Sequence, residues 1–150
     1  MKADCRISTY GEDPEAVRWD EAGKTLYRAM IPASDGGPQR GSTARTLGAR
    51  SEVDIPVDAA GRVHPGTGGM SVAPDSPTNL PRHRRPPELG GTGKDPAWRI
   101  QEVQLGPMLR YVPDDVPHPQ HGVIEPMIPM TFEAHQNALE QTARYWTRVS

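Results

Sequence analysis

Three groups of residues, far apart along the chain, are of types that do chemistry together: Arg28, the run Gly68-Gly69-Met70-Ser71, and a carboxylate at Glu125 or Glu102. They suit cleavage of the bond between a nicotinamide and a ribose. A dinucleotide brings a pyrophosphate, which an arginine holds through paired, charge-assisted hydrogen bonds. A nicotinamide ring must slot against backbone, and paired glycines leave room for that approach. Breaking the glycosidic bond builds positive charge on the ribose, and a carboxylate beside it stabilises that charge. Arginine, serine and glutamate are common, so the grouping gains weight only if the fold brings the three together.

The elements that must do so are short. Lys24 to Ile31 alternates Leu26, Arg28 and Met30 with Tyr27, Ala29 and Ile31, and reads as a strand stopped by Pro32. Arg28 in its middle is either a solvated edge residue or an anion-binding arginine on a cleft wall. Residues 32–69 are rich in glycine and proline, a stretch too long to be a plain connection in a compact domain. Within it Ser51–Val57 alternates weakly and is a candidate short strand. At its end two glycines run into an apolar strand carrying Ser71. Trp98–Leu105 alternates cleanly up to Pro107, and Leu109–Val112 is a second short piece. Gly122–Met130 is a third, which Pro126 and Pro129 place at an edge or end near Glu125. After Thr131 as cap, Phe132, His135, Leu139, Thr142, Ala143, Trp146 and Val149 recur at steps of three and four. That spacing predicts an amphipathic helix over 132–148 with its stripe in the core. Glu133 in the first turn and Arg144 and Arg148 in the last suit the helix dipole. Near the start, Asp13-Pro14-Glu15 has the cap and first-turn proline of a short helix.

Composition excludes several classes. The chain has 150 residues with 15 glycines, 17 prolines and 35% hydrophobic residues, which fits one loop-heavy domain over 1–150 with a thin core and a polar segment at 1–23. A formal charge of −2 argues against a general nucleic-acid binder. No run of 18 apolar residues is present for a membrane span, and the first residues lack the apolar stretch of a secretory signal. The single cysteine, Cys5, forms no internal disulfide. His118 and His121 lack a third ligand, so no metal is expected. Gly90-Gly91-Thr92-Gly93-Lys94 fails as a phosphate-binding loop, because Glu88 stands where the first glycine belongs and Asp95 follows the lysine. Gly69-Met70-Ser71-Val72-Ala73 lacks the second glycine of a nucleophile elbow, so Ser71 reads as a binding or structural serine. The one charge run, Pro81-Arg82-His83-Arg84-Arg85-Pro86-Pro87, is either a solvated loop or, beside a pocket, an attractor of phosphate.

Leu26-Tyr27-Arg28-Ala29, Thr67-Gly68-Gly69-Met70-Ser71-Val72 and His121 through Met130, followed by a helix with Leu139 and Trp146, occur in that order. In this the chain resembles the small ADP-ribosyltransferase-like toxins exported by type VI secretion systems, the Tse-two family, over roughly residues 24–149. The most specific parts are the GGxSV stretch and the H-x-x-I-x-P-x-x-P-M pattern at His121–Met130. The resemblance implies an α+β, compact ADP-ribosyltransferase-like fold, with two small antiparallel sheets around a cleft and flanking helices. It implies NAD as the substrate, a macromolecular acceptor of ADP-ribose (protein or nucleic acid), action in the cytoplasm of a target cell after contact-dependent delivery, and a cognate immunity protein. By position Arg28, Ser71 and Glu125 would take the catalytic roles, with Glu102 as the other candidate carboxylate. Tyr27, Arg28, Thr67, Gly68, Gly69, Met70 and Ser71 would bind the dinucleotide, and the Arg82–Arg85 run would help shape the cleft.

Overall fold

The computed structural model describes residues 23–114 and 120–149; the short helix read at Asp13–Glu15, and His118, lie outside them. Along the described chain run β1 (Thr25–Ala29), β2 (Arg62–Val63), β3 (Met70–Pro74), β4 (Ala97–Gln101), β5 (Leu109–Pro113), β6 (Gly122–Pro126), β7 (Met130–Thr131), α1 (Phe132–Glu140) and β8 (Thr147–Arg148). Six strands form an antiparallel sheet in the order β5-β6-β3-β1-β4-β8, and β2 pairs separately with β7.

The sheet consists of two halves that share β3. The first part of β3 pairs with β6, through Met70↔Ile124, Ser71↔Val123 and Val72↔Gly122. Its last two residues pair with β1, through Tyr27↔Ala73 and Leu26↔Pro74. Beyond Tyr27, β1 and β3 part company, and the sheet splits beside Ser71. On one face Leu26, Met30, Met70, Val72, Trp98, Ile100 and Ile124 meet Leu139 of α1 and Trp146 in the main core. That burial is the dominant stabilising term, at about 1.5–3 kcal/mol for each large apolar side chain. The Trp98 indole N–H donates to Met30 O at 2.9 Å, so burying this ring strands no polar atom.

Three expectations need correction. Arg28 is not on a solvated edge, since β1 lies between β3 and β4. Of the two alternatives for β6 the second holds: the strand is interior, between β5 and β3, and it ends beside Glu125 at Pro126, which cannot donate to a ladder. Ser51–Val57 is a turn rather than a strand, because the N–H groups of Val53, Asp54 and Ile55 all donate to Arg50 O. The strand begun at Ala97 stops at Gln101, and Glu102–Leu105 curls into a 3-10 turn. Its partner β1 starts only at Thr25, and Glu102 N donates instead to Lys24 O.

The C-terminal helix is also shorter than its spacing predicts. α1 ends at Glu140, not 148, followed by a 3-10 turn over Ala143–Tyr145 and by β8, which closes the β4 edge through Trp98↔Arg148 and Arg99↔Thr147. The Thr142 hydroxyl donates to Leu139 O at 2.6 Å, and the Trp146 indole N–H donates to that hydroxyl at 2.9 Å. Leu139, Ala143 and Trp146 are all buried, so a tighter turn satisfies the same three-and-four spacing. The Thr131 cap is as expected, accepting from Ala134 N.

Candidate active site

Where β1 leaves β3, the carbonyls along the split lose their ladder partners and two guanidinium groups replace them. Arg28 donates from Nη1 to Ser71 O at 2.8 Å; its Nε and Nη2 donate to the carbonyls of Thr43, Ala44, Thr46 and Gly48. Arg84 donates from Nη2 to Ala29 O at 3.2 Å and to Ala44 O. Segment 43–48 is thereby held against the split as the wall of a cleft. A further clasp anchors it: Arg45 meets Asp95 through two 2.8 Å hydrogen bonds.

The cleft has a volume of about 200 Å³ and is lined by Arg28, Arg50, Asp54, Ser71, His83, Arg84 and His121, with small and apolar residues between them. Burial, helped by the nearby Arg84 charge, pulls the Arg28 guanidinium down to about 10, which leaves it protonated at neutral pH. Arg84 is lowered too, by burial first and then by Arg45 and Arg50. An arginine accepts such a cost only where carbonyls or anions repay it. The field in the cleft is positive and suited to a phosphate-bearing ligand. Among the described residues, no group of His, Cys, Asp and Glu could hold a metal ion, and no helix is long and apolar enough to cross a membrane.

The cleft gathers some of the residues singled out from sequence. Ser71 lines it, half-buried, and Arg28 forms its rear wall. Tyr27 packs behind Ala73 and Leu80, which line it. Met70 is in the core. Thr67 is exposed and donates to His64 O. The space that Gly68 and Gly69 leave is filled by the protein itself: a Cβ at Gly68 would collide with Asp54 O, and one at Gly69 with Ile124 O. Glu125 lies outside the cleft, where its carboxylate accepts from Gly66 N at 2.9 Å and Arg110 Nε at 2.6 Å. Glu102 is at Lys24, whose N–H donates to its carboxylate at 3.0 Å.

Two residues not singled out also meet there, Asp54 and Arg50, an ion pair four positions apart; His121, read from sequence as half of an incomplete metal pair and as the start of the family pattern, lines it too. The i, i+4 spacing of the pair was a signal, although no helix carries it. The basic run Pro81–Pro87 does border a pocket, through Pro81, His83 and Arg84. The failed phosphate loop next to it has a packing role: a Cβ at Gly91 or Gly93 would collide with the backbone of the Arg82–Arg85 turn.

A family model described as Tse2 ADP-ribosyltransferase toxin matches residues 24–150. No curated protein matches the chain. The chain belongs to the Tse2 ADP-ribosyltransferase toxin family, and its split antiparallel sheet, with one α-helix among the described residues, is an ADP-ribosyltransferase-like fold.

Proposed function

We propose, with that membership as premise, that the protein takes ADP-ribose from NAD and passes it to a macromolecule in the cytoplasm of a target cell. The observation that carries this reading is the cationic cleft at the split, lined by three arginines, two histidines and Ser71. The pyrophosphate would lie against Arg84 and Arg50, with His83 and His121 at the rim. Ser71 would orient the nicotinamide ribose. Arg28, with its donors committed to carbonyls, keeps the wall in place and adds charge from behind.

Size supports a two-part site. About 200 Å³ takes one end of a dinucleotide. A neighbouring groove of about 410 Å³, lined by Thr78, Asn79, Pro81, Gln120 and His121, shares Pro81 and His121 with the cleft and would take the other. Contact-dependent delivery by type VI secretion and neutralisation by a cognate immunity protein belong to the same reading.

Nicotinamide release by the purified protein tests it, with and without cell extract and with Ser71→Ala and Arg84→Ala in parallel. The expected result is release that needs extract, label from NAD appearing on a macromolecule, and at least tenfold loss in both variants. Release at full rate without extract would replace transfer with hydrolysis. Growth arrest with no nicotinamide release under any condition would remove NAD chemistry altogether.

A further inference from the structure

We infer that Asp54 is the carboxylate that faces the nicotinamide ribose, in place of Glu125 or Glu102; the assignment rests on the NAD reading above. Asp54 is the one acidic side chain among the described residues that line the cleft. Its side chain is 9% exposed and held by a single neighbour: Oδ2 accepts from Arg50 N at 2.8 Å and Arg50 Nε at 3.0 Å, and Oδ1 from Arg50 Nη2 at 3.0 Å. A carboxylate offers about four acceptor positions, so one on Oδ1 is unused.

Asp54 is also fixed relative to Ser71. Its carbonyl accepts from Gly69 N at 3.0 Å, two residues before Ser71, and only a glycine at 68 lets the two backbones lie so close. The carboxylate and the serine therefore sit on one rigid unit bordering the same cleft. The rival carboxylates lack that placement. Glu125 is 2% exposed, with its two oxygens turned to Gly66 N and Arg110. Glu102 belongs to the 3-10 turn after β4, and its carboxylate packs on Gly23 and Lys24.

The chemistry balances without a further reagent. The bond from the ribose C1′ to the nicotinamide nitrogen breaks, its electron pair leaves with the nitrogen, and the nicotinamide departs neutral. The positive charge then lies on C1′ and the ring oxygen. Asp54 accepts a hydrogen bond from the ribose 2′-hydroxyl, faces that charge and takes up no proton. A nucleophilic oxygen or nitrogen of the acceptor bonds to C1′ and releases its proton to solvent.

The test combines nicotinamide release with NAD binding by titration calorimetry for wild type, Asp54→Asn, Glu125→Gln and Glu102→Gln. Asp54→Asn keeps an oxygen for Arg50 N and should bind NAD within about threefold of wild type while turnover falls about 100-fold or more. The two glutamate variants should lose far less. If Asp54→Asn does not fold, Asp54→Glu keeps the charge, displaces it by one methylene and should show the same loss. Turnover of Asp54→Asn or, failing that, Asp54→Glu within threefold of wild type overturns the assignment, as does an equal loss in Glu125→Gln. A wild-type protein that neither binds nor cleaves NAD overturns the underlying reading, and this assignment with it.

Discussion

Two arginine–carboxylate clasps in this protein share one build and face different surroundings. Arg50 holds Asp54 within a turn, and Arg110 holds Glu125 across the β5–β6 pair. In both the arginine side chain is nearly half exposed, at 41% and 49%, and the carboxylate is buried. The Asp54 pair borders the open cleft and leaves an acceptor position unused. The Glu125 pair is closed off by Gly66 N, so it fastens the 64–69 loop to β6. Glu125 was the candidate carboxylate by its position in the sequence, but what the carboxylate faces decides whether it can touch a substrate.

That contrast can be broken by experiment, and the largest expected effect is on turnover. Asp54→Asn should cost about 100-fold or more in nicotinamide release, and a similar loss in Glu125→Gln would erase the distinction between the clasps. Arg28→Met comes next, and its effect is on folding. It strips hydrogen bonds from five carbonyls at the split and should cost about 3 kcal/mol or more, read from urea unfolding. Lysine at that position, a point charge without the planar fork, should recover little of it.

Removing each arginine in turn sharpens the comparison. Arg110→Ala leaves the Glu125 carboxylate buried with one partner, for a loss of about 2 kcal/mol in stability and little in turnover. Arg50→Ala should do the reverse, lowering turnover more than stability, and unfolding and release assays on the same preparations decide it. The smallest effect lies outside both clasps. The Arg45 guanidinium, by hydrogen bond and charge, holds the Asp95 carboxyl below its usual range. The stability this pair contributes is present above about pH 4 and is lost as pH falls through the lowered value. The gap between wild type and Arg45→Ala should therefore shrink on acidification, which unfolding curves at pH 7, 4 and 3 would show.

Much of the sheet was legible because alternation and proline mark it: β1 and β6 lie within the stretches that the pattern picked out, β4 and β5 overlap theirs to within a residue at one end, and Thr131 caps α1. The shortened helix was not, because apolar residues at steps of three and four pack equally well through a helix or through a 3-10 turn closed by Thr142. Half of the cleft was legible through Ser71 and the basic run. Arg28 was visible as a residue but not in its role, because its partners are carbonyl oxygens and carry no mark in a sequence. Asp54 was hidden in a weakly alternating stretch that folds as a turn around Arg50 O.

The hold of Arg28 on segment 43–48 also bears on how such a protein diverges. The arginine addresses oxygen atoms that every amino acid carries, so side chains at positions such as 43 and 44 are not what it recognises. Exchange at position 44 leaves that recognition intact, whereas Thr43 also ties the segment through its hydroxyl, which meets Thr46 Oγ1 and accepts from Arg45 N. Gly48 is a further exception, since any side chain there would run into Gly41 O. Much of the wall's position is thus inherited through guanidinium groups that read backbone, those of Arg28 and Arg84, and through one glycine.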